Sequence, residues 1–572
     1  MNKYLFYKVL VITLLFSAFH SCENSNDKYD NQSLITKPIV DSAMVVSAHP
    51  LASKVGVDVM KNGGNAIDAA IAVQFALAVV YPSAGNIGGG GFMVVRLAEG
   101  QTNTLDFREK SPSKSSRDMY LDKNGDVIPD LSLLGHLAVG VPGTVDGMVN
   151  AHEKYGSLSW NDLVQPSIDL AKNGFVLTNN EAANLNYYLE TKSTFNTIDS
   201  SLYKVKWNPG DTIVLNDLAE TLKRIKDHKR AGFYEGKTAD LIIEEINRGQ
   251  GIVSYDDLKS YESIWREPIV FTYKDYKMIA MDLPSSGGVV LNQMFKMIES
   301  FPLSSFKFHS SEYIHLLAEA ERRSFADRSK FLGDPDFVAV PKLALLDSNY
   351  ILNRMNSYDP QRSSKSSDIF PGNILINESE ETTHYSIVDQ YGNAVSVTTT
   401  LNGSFGSGVV VGGGGFLLNN EMDDFSSKPG TPNLYGLVGG EANSIQPNKR
   451  MLSSMTPTIV EKKGKLFMVV GTPGGSTIIT GVFQTILNVI EFNMSMDEAV
   501  EAPRFHHQWL PDQIKIEKSL YVDSSLCNQL MNLGHKLKPV GSMNRVDAIL
   551  IDDAGILHGG ADSRGDDSDI GF

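Results

Sequence analysis

The sequence predicts a fold that mixes helices and strands, and three stretches carry this prediction. Residues 382–400 hold β-type residues on both sides of the turn Tyr391-Gly392-Asn393, which predicts a hairpin. Residues 66–80 are almost wholly apolar and follow Asn65, a capping residue, which predicts a helix buried on nearly all sides. Residues 44–53 are typical of a strand that runs into a helix. Periodicity alone therefore supports a mixed α and β protein and nothing finer.

Length and composition predict one large globular unit. The chain has 572 residues, of which 42% are hydrophobic and 21% charged, and it shows no internal repeat or long low-complexity tract. Its formal net charge is −16 and its pI is about 5.3. Nucleic-acid binders concentrate Lys and Arg to neutralise phosphates, so this charge argues against a nucleic-acid partner.

The N-terminus has the pattern of an export signal. Lys3 and Lys8 precede an apolar run at residues 9–19, which is too short to predict a membrane span. Cys22 follows at once and opens a polar stretch, residues 22–43. We expect residues 1–21 to be a signal peptide and Cys22 to carry a lipid anchor at the end of a polar tether, with a soluble secreted form as the alternative. The expected location is the periplasm or cell envelope of a bacterium.

Several residue types invite metal, phosphate or disulfide chemistry, but their spacing favours structural roles. His49, His315 and Glu319 match no metal motif, so the sequence predicts that they are satisfied structural groups. The glycine run at residues 85–91 precedes a strand, whereas phosphate loops precede a helix, which favours close backbone packing. Cys527 is expected to be a structural thiol without a disulfide partner.

The run Thr382-Thr383-His384-Tyr385-Ser386 is the most informative motif of the chain. Alone, a Thr-Thr pair at a loop-to-strand junction reflects only β-propensity. This run, however, resembles the start of the small subunit in the γ-glutamyltransferase family, and further family motifs follow the same order from about residue 44 to the C-terminus. The resemblance implies the four-layered αββα sandwich of the N-terminal-nucleophile hydrolases, an α/β (α+β) fold built from two chains after self-cleavage.

The same resemblance makes Thr382 an N-terminal nucleophile. A threonine hydroxyl is weak at neutral pH and needs a base, and a free α-amino group, with a pKa of about 7.7–8.0, supplies one on the same residue. That group exists only after the Glu381–Thr382 bond is cut. The resemblance thus implies a large subunit, residues 44–381, and a small catalytic subunit, residues 382–572, that form one folded unit. It implies no metal or organic cofactor.

A second group of residues matches the family's binding site for an amino-acid head group. By the match, Arg108 pairs with the α-carboxylate of the γ-glutamyl group, a task that suits the planar guanidinium. Ser453 and Ser454 hydrogen-bond the same carboxylate, and Glu421 and Asp424 hold the α-ammonium. Many bacterial members carry glutamine at the position of Glu421. Taken alone, these residues would be a surface ion pair, a turn and an acidic loop.

Five more residues complete the implied site. Thr400 would orient the nucleophile, and Asn402 would contact the substrate, although Asn-Gly by itself is a turn signal. The backbone amides of Gly474 and Gly475 match the family's oxyanion hole, where glycine leaves room for the carbonyl. Tyr435 belongs to a Pro- and Gly-rich loop that resembles the family's lid.

These matches predict γ-glutamyl transfer. Thr382 would attack the γ-amide of glutathione or a related γ-glutamyl donor, and water or the amine of an amino acid or peptide would then remove the γ-glutamyl group. One alternative is a cephalosporin or glutaryl acylase of the same fold, which does not need the acidic residues Glu421 and Asp424. The other is a non-catalytic, solute-binding envelope lipoprotein, which would stay one chain on a denaturing gel.

Overall fold

The computed structural model describes residues 40–195, 202, 206–371, 382–428 and 440–572. The predicted signal peptide, Cys22, Glu381 and Tyr435 lie outside the described residues. Val40, the first residue of the described part of the chain, is 6% exposed. Residues 40–43, which the sequence assigns to the end of the tether, are hydrogen-bonded to the folded body, because the amide of Ala43 donates to the carbonyl oxygen of Phe572 over 3.1 Å.

Most strands of the described chain belong to two large sheets. In chain order the strands are β1 (Met44–Ser47), β2 (Gly90–Arg96), β3 (Thr102–Asp106), β4 (Phe175–Val176), β5 (Thr212–Ile213), β6 (Ile264–Arg266), β7 (Ile269–Tyr273), β8 (Tyr276–Ala280), β9 (Thr383–Val388), β10 (Ala394–Thr400), β11 (Thr458–Lys462), β12 (Lys465–Gly471), β13 (Phe505–His506), β14 (Ile514–Glu517), β15 (Leu537–Val540), β16 (Asp547–Ile551), β17 (Leu557–Ala561) and β18 (Ser568–Gly571). The first sheet has the order β18-β1-β9-β10-β2-β3-β6, and the second has the order β17-β16-β12-β11-β8-β7. Every pairing within these two sheets is antiparallel.

Helices cover the outer faces of the two sheets. In the described residues they are α1 (Pro50–Lys61), α2 (Ala66–Val80), α3 (Thr144–Tyr155), α4 (Trp160–Asn173), α5 (Asn179–Thr191), α6 (Asn216–His228), α7 (Ala231–Tyr234), α8 (Gly236–Arg248), α9 (Tyr255–Lys259), α10 (Gly287–Ile298), α11 (Ser311–Phe331), α12 (Lys342–Leu345), α13 (Ser348–Arg354), α14 (Ser476–Phe492), α15 (Met496–Glu501), α16 (Lys518–Tyr521) and α17 (Ser524–Asn532). Within this part of the chain, no helix is long and apolar enough to cross a membrane.

The buried apolar residues divide into layers that define the architecture. One cluster lies between the two sheets and includes Val46 and Val94 from the first sheet and Val469 and Ile549 from the second. A larger cluster joins the outer face of the first sheet to α2 and its neighbours, and another joins the outer face of the second sheet to α10, α11 and α14. Side chains alternate across a strand, so each sheet contributes to two clusters. The order helix, sheet, sheet, helix confirms the predicted αββα sandwich.

The buried helix predicted from the sequence is present with the predicted bounds. Asn65 caps α2 by accepting from the amides of Ile67 and Asp68, each over 2.9 Å, and Asp68 completes the capping box. All fifteen residues of α2 are buried. A helix that is apolar on every side requires protein around it, and α2 packs between the first sheet and other helices.

The glycine run at residues 85–91 allows close backbone packing, as predicted. A Cβ atom on Gly89 would lie 2.0 Å from the carbonyl oxygen of Thr400, and one on Gly91 would lie 2.4 Å from that of Thr398. Real Cβ atoms do not approach so closely, so only glycine fits at these positions. The run therefore holds β2 against β10, the strand that ends in the predicted site.

Boundaries differ slightly from the sequence prediction. The first strand of the hairpin begins at Thr383, one residue after its predicted start, which leaves Thr382 at the loop end. His315 and Glu319 lie on α11, which is capped by Ser310.

Candidate active site

Thr382 lies next to the start of a central strand of the first sheet, where strand pairing on both sides holds the backbone in place. It directly precedes β9, which is paired on both sides, with β1 and with β10. The register places Thr383 opposite Thr399, so the backbone that leads out of Thr382 is held by the ladder. Thr382 itself is 7% exposed. The fold thus presents one nearly buried threonine at the end of a central strand.

A small cavity next to Thr382 collects most of the predicted site residues. Its lining includes Thr382, Arg108, Thr400, Asn402, Glu421, Asp424, Ser453, Ser454 and Gly475. Its free volume is ≈ 10 Å³, about the space of one water molecule. Arg108 lies 274 positions before Thr382, whereas the other eight residues fall between positions 382 and 475, so the fold brings two remote parts of the chain to one place. The small cavity must widen to hold anything larger than water.

Arg108 pairs directly with the two acids that the resemblance assigns to the opposite end of a substrate head group. Its Nη1 lies 2.7 Å from Oε1 of Glu421, and its Nη2 donates to Oδ2 of Asp424. The guanidinium also donates to the carbonyl oxygen of Leu452 over 3.2 Å. Glu109 adds a third carboxyl group, 3.5 Å from Nη1. The guanidinium of Arg108 therefore contacts the two carboxyl groups directly, and no space for a substrate head group separates them in this structure.

Burial controls the charge of these acids. Arg108 is 1% exposed, and although burial lowers the pKa of its guanidinium, the carboxylates of Glu421 and Asp424 raise it above the ordinary value. Burial raises the pKa of Glu421 well above its usual range, against the opposing effect of Arg108. Burial also raises the pKa of Glu109 to about 8. One buried oxygen of Glu421 and one of Glu109 have no hydrogen-bond partner among the described residues.

The hydroxyl and amide groups of the small cavity are anchored by neighbouring backbone. Oγ1 of Thr400 accepts from the amide of Asn402 over 2.7 Å. Asn402 has a left-handed backbone, with φ of 66°, and its Nδ2 donates to the carbonyl oxygen of Asn420 over 2.9 Å. Oγ of Ser453 accepts from the amide of Met455 over 3.2 Å. These bonds fix the orientation of each group towards the cavity.

Gly474 and Gly475 form a turn with positive φ angles before α14. Their φ angles are 127° and 58°, both in the region that favours glycine. Gly475 lines the small cavity, whereas Gly474 lines a second cavity of ≈ 630 Å³, the large cavity, which also borders Thr382. The first amides of a helix have no partner within it and carry its positive end. The turn can therefore supply donors to a negative oxygen beside Thr382.

Asn544 holds this turn and was not predicted from the sequence. Its Nδ2 donates to the carbonyl oxygen of Pro473 over 2.8 Å and to Oγ1 of Thr477 over 2.9 Å. A Cβ atom on Gly474 would lie 2.4 Å from that nitrogen. No local pattern marks Asn544, because its partners lie about seventy residues earlier in the chain.

His384 is close to Thr382 in sequence but is not a base for it. Its ring lies between Oγ1 of Thr398, at 2.9 Å from Nδ1, and Oγ of Ser386, at 3.1 Å from Nε2. Burial lowers the pKa of His384 to about 3, so the ring is neutral at physiological pH. A Cβ atom on Gly471 would lie 2.3 Å from the ring, which places His384 between the two sheets. Its role is structural.

The groups that could be imagined as metal ligands also have other partners. His315, Glu319 and His535 lie close together. Nδ1 of His315 lies 2.8 Å from Nε2 of His535, so one ring donates to the other. Glu319 pairs with Arg323 over 2.5 Å. Nε2 of His49 lies 2.6 Å from a carboxylate oxygen of Glu181. Each of these groups therefore has a protein partner in the structure, and their structural role stays a prediction.

Cys527, the cysteine among the described residues, is buried and its thiol donates to the carbonyl oxygen of Tyr521 at 3.3 Å. Burial raises the pKa of this thiol. A raised thiol pKa disfavours the reactive thiolate. These observations agree with a structural role.

Comparison with known proteins identifies the family. The family model described as "Gamma-glutamyltranspeptidase" matches residues 52–572. The chain is 44% identical over 533 residues to the glutathione hydrolase proenzyme of Escherichia coli (strain K12), covering 92% of each chain. It is 47% identical over 514 residues to the glutathione hydrolase proenzyme of Pseudomonas sp. (strain A14), covering 89% of each.

A solved structure extends the likeness to the fold. The cephalosporin acylase from Bacillus halodurans superimposes with a TM-score of 0.82 at 26% sequence identity, covering 95% of this chain and 99% of that one. The fold is thus common to glutathione hydrolases and acylases, while the higher sequence identity is with the former. With the family model matched over nearly its whole length, the chain belongs to the γ-glutamyltranspeptidase family.

Proposed function

We propose that the protein is a self-cleaving γ-glutamyltransferase with glutathione hydrolase activity. One observation carries the proposal: Thr382, at the end of a central strand, shares the small cavity with Arg108, Glu421 and Asp424. A nucleophile beside a buried cation and buried acids suits a substrate that carries an amino-acid head group. Identities of 44–47% to relatives named glutathione hydrolase proenzyme support glutathione as a donor.

The first reaction is cleavage of the chain before Thr382. Oγ1 of Thr382 attacks the carbonyl carbon of Glu381, the C–N bond breaks, and the acyl group moves from nitrogen to oxygen. Water then hydrolyses the ester, which leaves a carboxylate on Glu381 and a free α-amino group on Thr382. The two subunits, residues 44–381 and 382–572, stay together because both contribute strands to the first sheet.

The second reaction uses the new amino group as a base. It takes the proton of Oγ1 while that oxygen attacks the γ-carbonyl of the donor, and it passes the proton to the leaving amine. The amides of the Gly474-Gly475 turn stabilise the oxygen anion of the tetrahedral intermediate. The resulting γ-glutamyl ester is then cleaved by water or by the amine of an amino acid or peptide. Thr400 orients the nucleophile.

The charged groups of the small cavity select the γ-glutamyl head group. Its α-carboxylate pairs with Arg108, next to Ser453 and Ser454, and its α-ammonium pairs with Glu421 and Asp424. The substrate brings one charge of each sign, so the buried charges stay balanced when Arg108 exchanges partners. Asn402 provides a further contact from the same cavity. Tyr435, outside the described residues, would cover the site from the lid.

A comparison of two chromogenic anilides separates this proposal from the acylase alternative. γ-Glutamyl-p-nitroanilide and glutaryl-p-nitroanilide differ only in the α-ammonium. Without that group, buried acids lose a partner, at a typical cost of about 1–3 kcal/mol, so we expect kcat/KM to be at least roughly tenfold higher for the γ-glutamyl compound. Equal kcat/KM values for the two anilides would favour the acylase alternative. Failure to cleave either anilide, with a single band on a denaturing gel, would favour a binding protein.

We also propose that the protein is exported and held to a bacterial membrane by a lipid on Cys22, in the periplasm or cell envelope. Support comes from the basic start of the chain, the apolar run at residues 9–19 and the polar stretch that follows Cys22.

A further inference from the structure

The large cavity lies next to Thr382 and is distinct from the small one. Its volume is ≈ 630 Å³, and it extends from Thr382 and Gly474 to residues of β14 and β15. Among the described residues, Thr382 is the one that lines both cavities. The bond that Thr382 attacks must therefore lie between them. If the γ-glutamyl head group fills the small cavity, the leaving amine and the incoming acceptor face the large one.

Cations predominate in the lining of the large cavity. It holds Lys515, Lys538, Arg545 and Arg564 against the single carboxylate of Asp566. The lining thus has an excess of positive charge, whereas the chain as a whole has a formal net charge of −16. A cleft lined by one sign of charge attracts ligands of the other sign. The large cavity is thus suited to an anion.

Ion pairs and hydrogen bonds hold the two arginines and the carboxylate of this lining in place. Nη1 of Arg545 lies 3.3 Å from Asp567, and Nη1 of Arg564 lies 2.9 Å from Asp562. The carboxylate of Asp566 accepts from Oγ1 of Thr178 over 2.6 Å and from Nδ2 of Asn180 over 2.9 Å. These contacts fix the walls of the cavity. Lys515 and Lys538 are the other two cations of the lining.

Lys515 and Lys538 lie side by side across a strand pair. β14 and β15 are parallel, and the register makes these two residues direct partners. Like charges directly opposite each other destabilise a sheet. Lys538 is exposed and Lys515 half-buried, and both line the cavity. Strand pairing gives no reason for two lysines here, whereas an anion held between them would offset their repulsion.

We propose that Lys515 and Lys538 form a subsite for the C-terminal carboxylate of the leaving peptide and of the acceptor. The inference rests on the proposed function, because it assumes γ-glutamyl transfer at Thr382. In glutathione the amine released by the reaction belongs to a dipeptide, so its carboxylate lies two residues, about 7 Å, from the bond that breaks. An acceptor amine must attack from the side that the leaving amine vacates. The same two lysines therefore favour acceptors with a free carboxylate.

The test compares glutathione with its C-terminal glycine amide, which lacks only the negative charge. For the wild-type enzyme we expect kcat/KM to be roughly fivefold higher for glutathione, the size typical of a partly exposed charge pair. Lys515→Gln with Lys538→Gln should reduce this ratio to about one, and Lys538→Glu should reverse it, since both act through charge alone. Release of the dipeptide or its amide is measured by liquid chromatography.

Lys536→Gln is the matched control, because it removes the same charge just before β15 from a residue outside the cavity lining. It should leave the ratio unchanged. A ratio that stays the same in the double variant and in Lys538→Glu would overturn the subsite. Hydrolysis of γ-glutamyl-p-nitroanilide, whose leaving group is neutral, reports on the proposed function separately: a wild-type enzyme inactive on it would contradict γ-glutamyl transfer itself.

Discussion

Arg108 donates to the carboxylate of Glu421 over 2.7 Å, although the two residues lie 313 positions apart in the chain. Both are buried, and Arg108 also pairs with Asp424, so the three side chains form one buried charged cluster. In the proposed reaction the substrate's carboxylate and ammonium would take over these contacts. A zwitterionic head group can therefore replace the ion pair between Arg108 and the acids with two new ion pairs. This exchange accounts for a preference for amino-acid head groups.

Replacement of Asp424, the other partner of Arg108, tests this account. Asp424→Asn keeps the shape of the side chain but removes the charge that would hold the ammonium. We expect kcat/KM for γ-glutamyl-p-nitroanilide to fall at least roughly tenfold, and that for glutaryl-p-nitroanilide to fall much less. Cleavage before Thr382 should continue.

Asp423→Asn is the control for that variant. Its carboxylate contacts Oγ of Ser132 over 2.5 Å rather than Arg108, yet it belongs to the same short helix, Glu421–Asp424. The ratio of the two anilides should therefore stay at the wild-type value. If Asp424→Asn lowered kcat/KM equally for both anilides, the proposed contact between Asp424 and the substrate's ammonium group would be wrong.

Glu109 should make the stability of the fold depend on pH. Burial raises its pKa from 4.5 to about 8, against the opposing effect of Arg108, while Asp424 and Asp106 raise it further. Between these values the folded state holds a proton that the unfolded chain has released. The contribution of Glu109 to stability is thus complete below about pH 4.5 and is lost as the pH rises towards about 8.

Glu109→Gln removes this proton exchange at nearly constant shape. We expect the Tm of the variant, relative to wild type, to rise from pH 5 to pH 8 in scanning calorimetry. Glu99→Gln, at an exposed position, should show a constant difference. A constant difference for Glu109→Gln as well would mean that Glu109 is ionised in the folded protein.

Gly474→Ala should impair the oxyanion turn. The backbone φ of 127° disfavours any other residue, and the added Cβ would lie 2.4 Å from Nδ2 of Asn544. Loss of one oxyanion donor typically lowers kcat about a hundredfold or more, and we expect a fall of that order on γ-glutamyl-p-nitroanilide. Gly100→Ala carries similar backbone strain with open space around it and should retain activity. Unchanged kcat in Gly474→Ala would exclude this turn from the reaction.

Cys22→Ser tests the proposed lipid anchor. In the native host, wild-type activity should sediment with membranes, and the variant should release it into the soluble fraction, because one serine cannot carry the thioether-linked lipid. Cys527→Ser changes the other cysteine, which is buried in the folded body, and should leave the distribution unchanged. The same distribution for wild type and Cys22→Ser would refute the anchor.

Local signals predicted the elements that depend on local chemistry. The cap at Asn65 and the apolar run that follows placed α2 correctly, and the glycine run before β2 predicted close packing that the contacts of Gly89 and Gly91 confirm. The four-layered architecture did not follow from periodicity. It depends on pairings such as β1 with β9, whose residues are more than 300 positions apart, and only the family resemblance supplied it.

In the site, too, sequence patterns predicted some features and missed those that depend on long-range contacts. The residues of the small cavity were predicted by their match to family motifs, but the direct pairing of Arg108 with Glu421 and Asp424 was not, since a motif carries no distance. Asn544 and the lysine pair were missed, because their significance arises from contacts between loops and strands remote in sequence. Long-range packing, rather than local pattern, determines these features.

The central claim is that Thr382 becomes the N-terminal residue of a second chain and then acts as the nucleophile. The most direct test is intact-mass spectrometry of the purified protein. The wild type should give two chains, the smaller of which begins at Thr382. Thr382→Ala should remain one inactive chain, while Thr383→Ala should still be cut before Thr382, because the neighbouring hydroxyl is not the attacking group. A stable intact wild-type chain, or a small chain that begins at any other residue, would contradict the account.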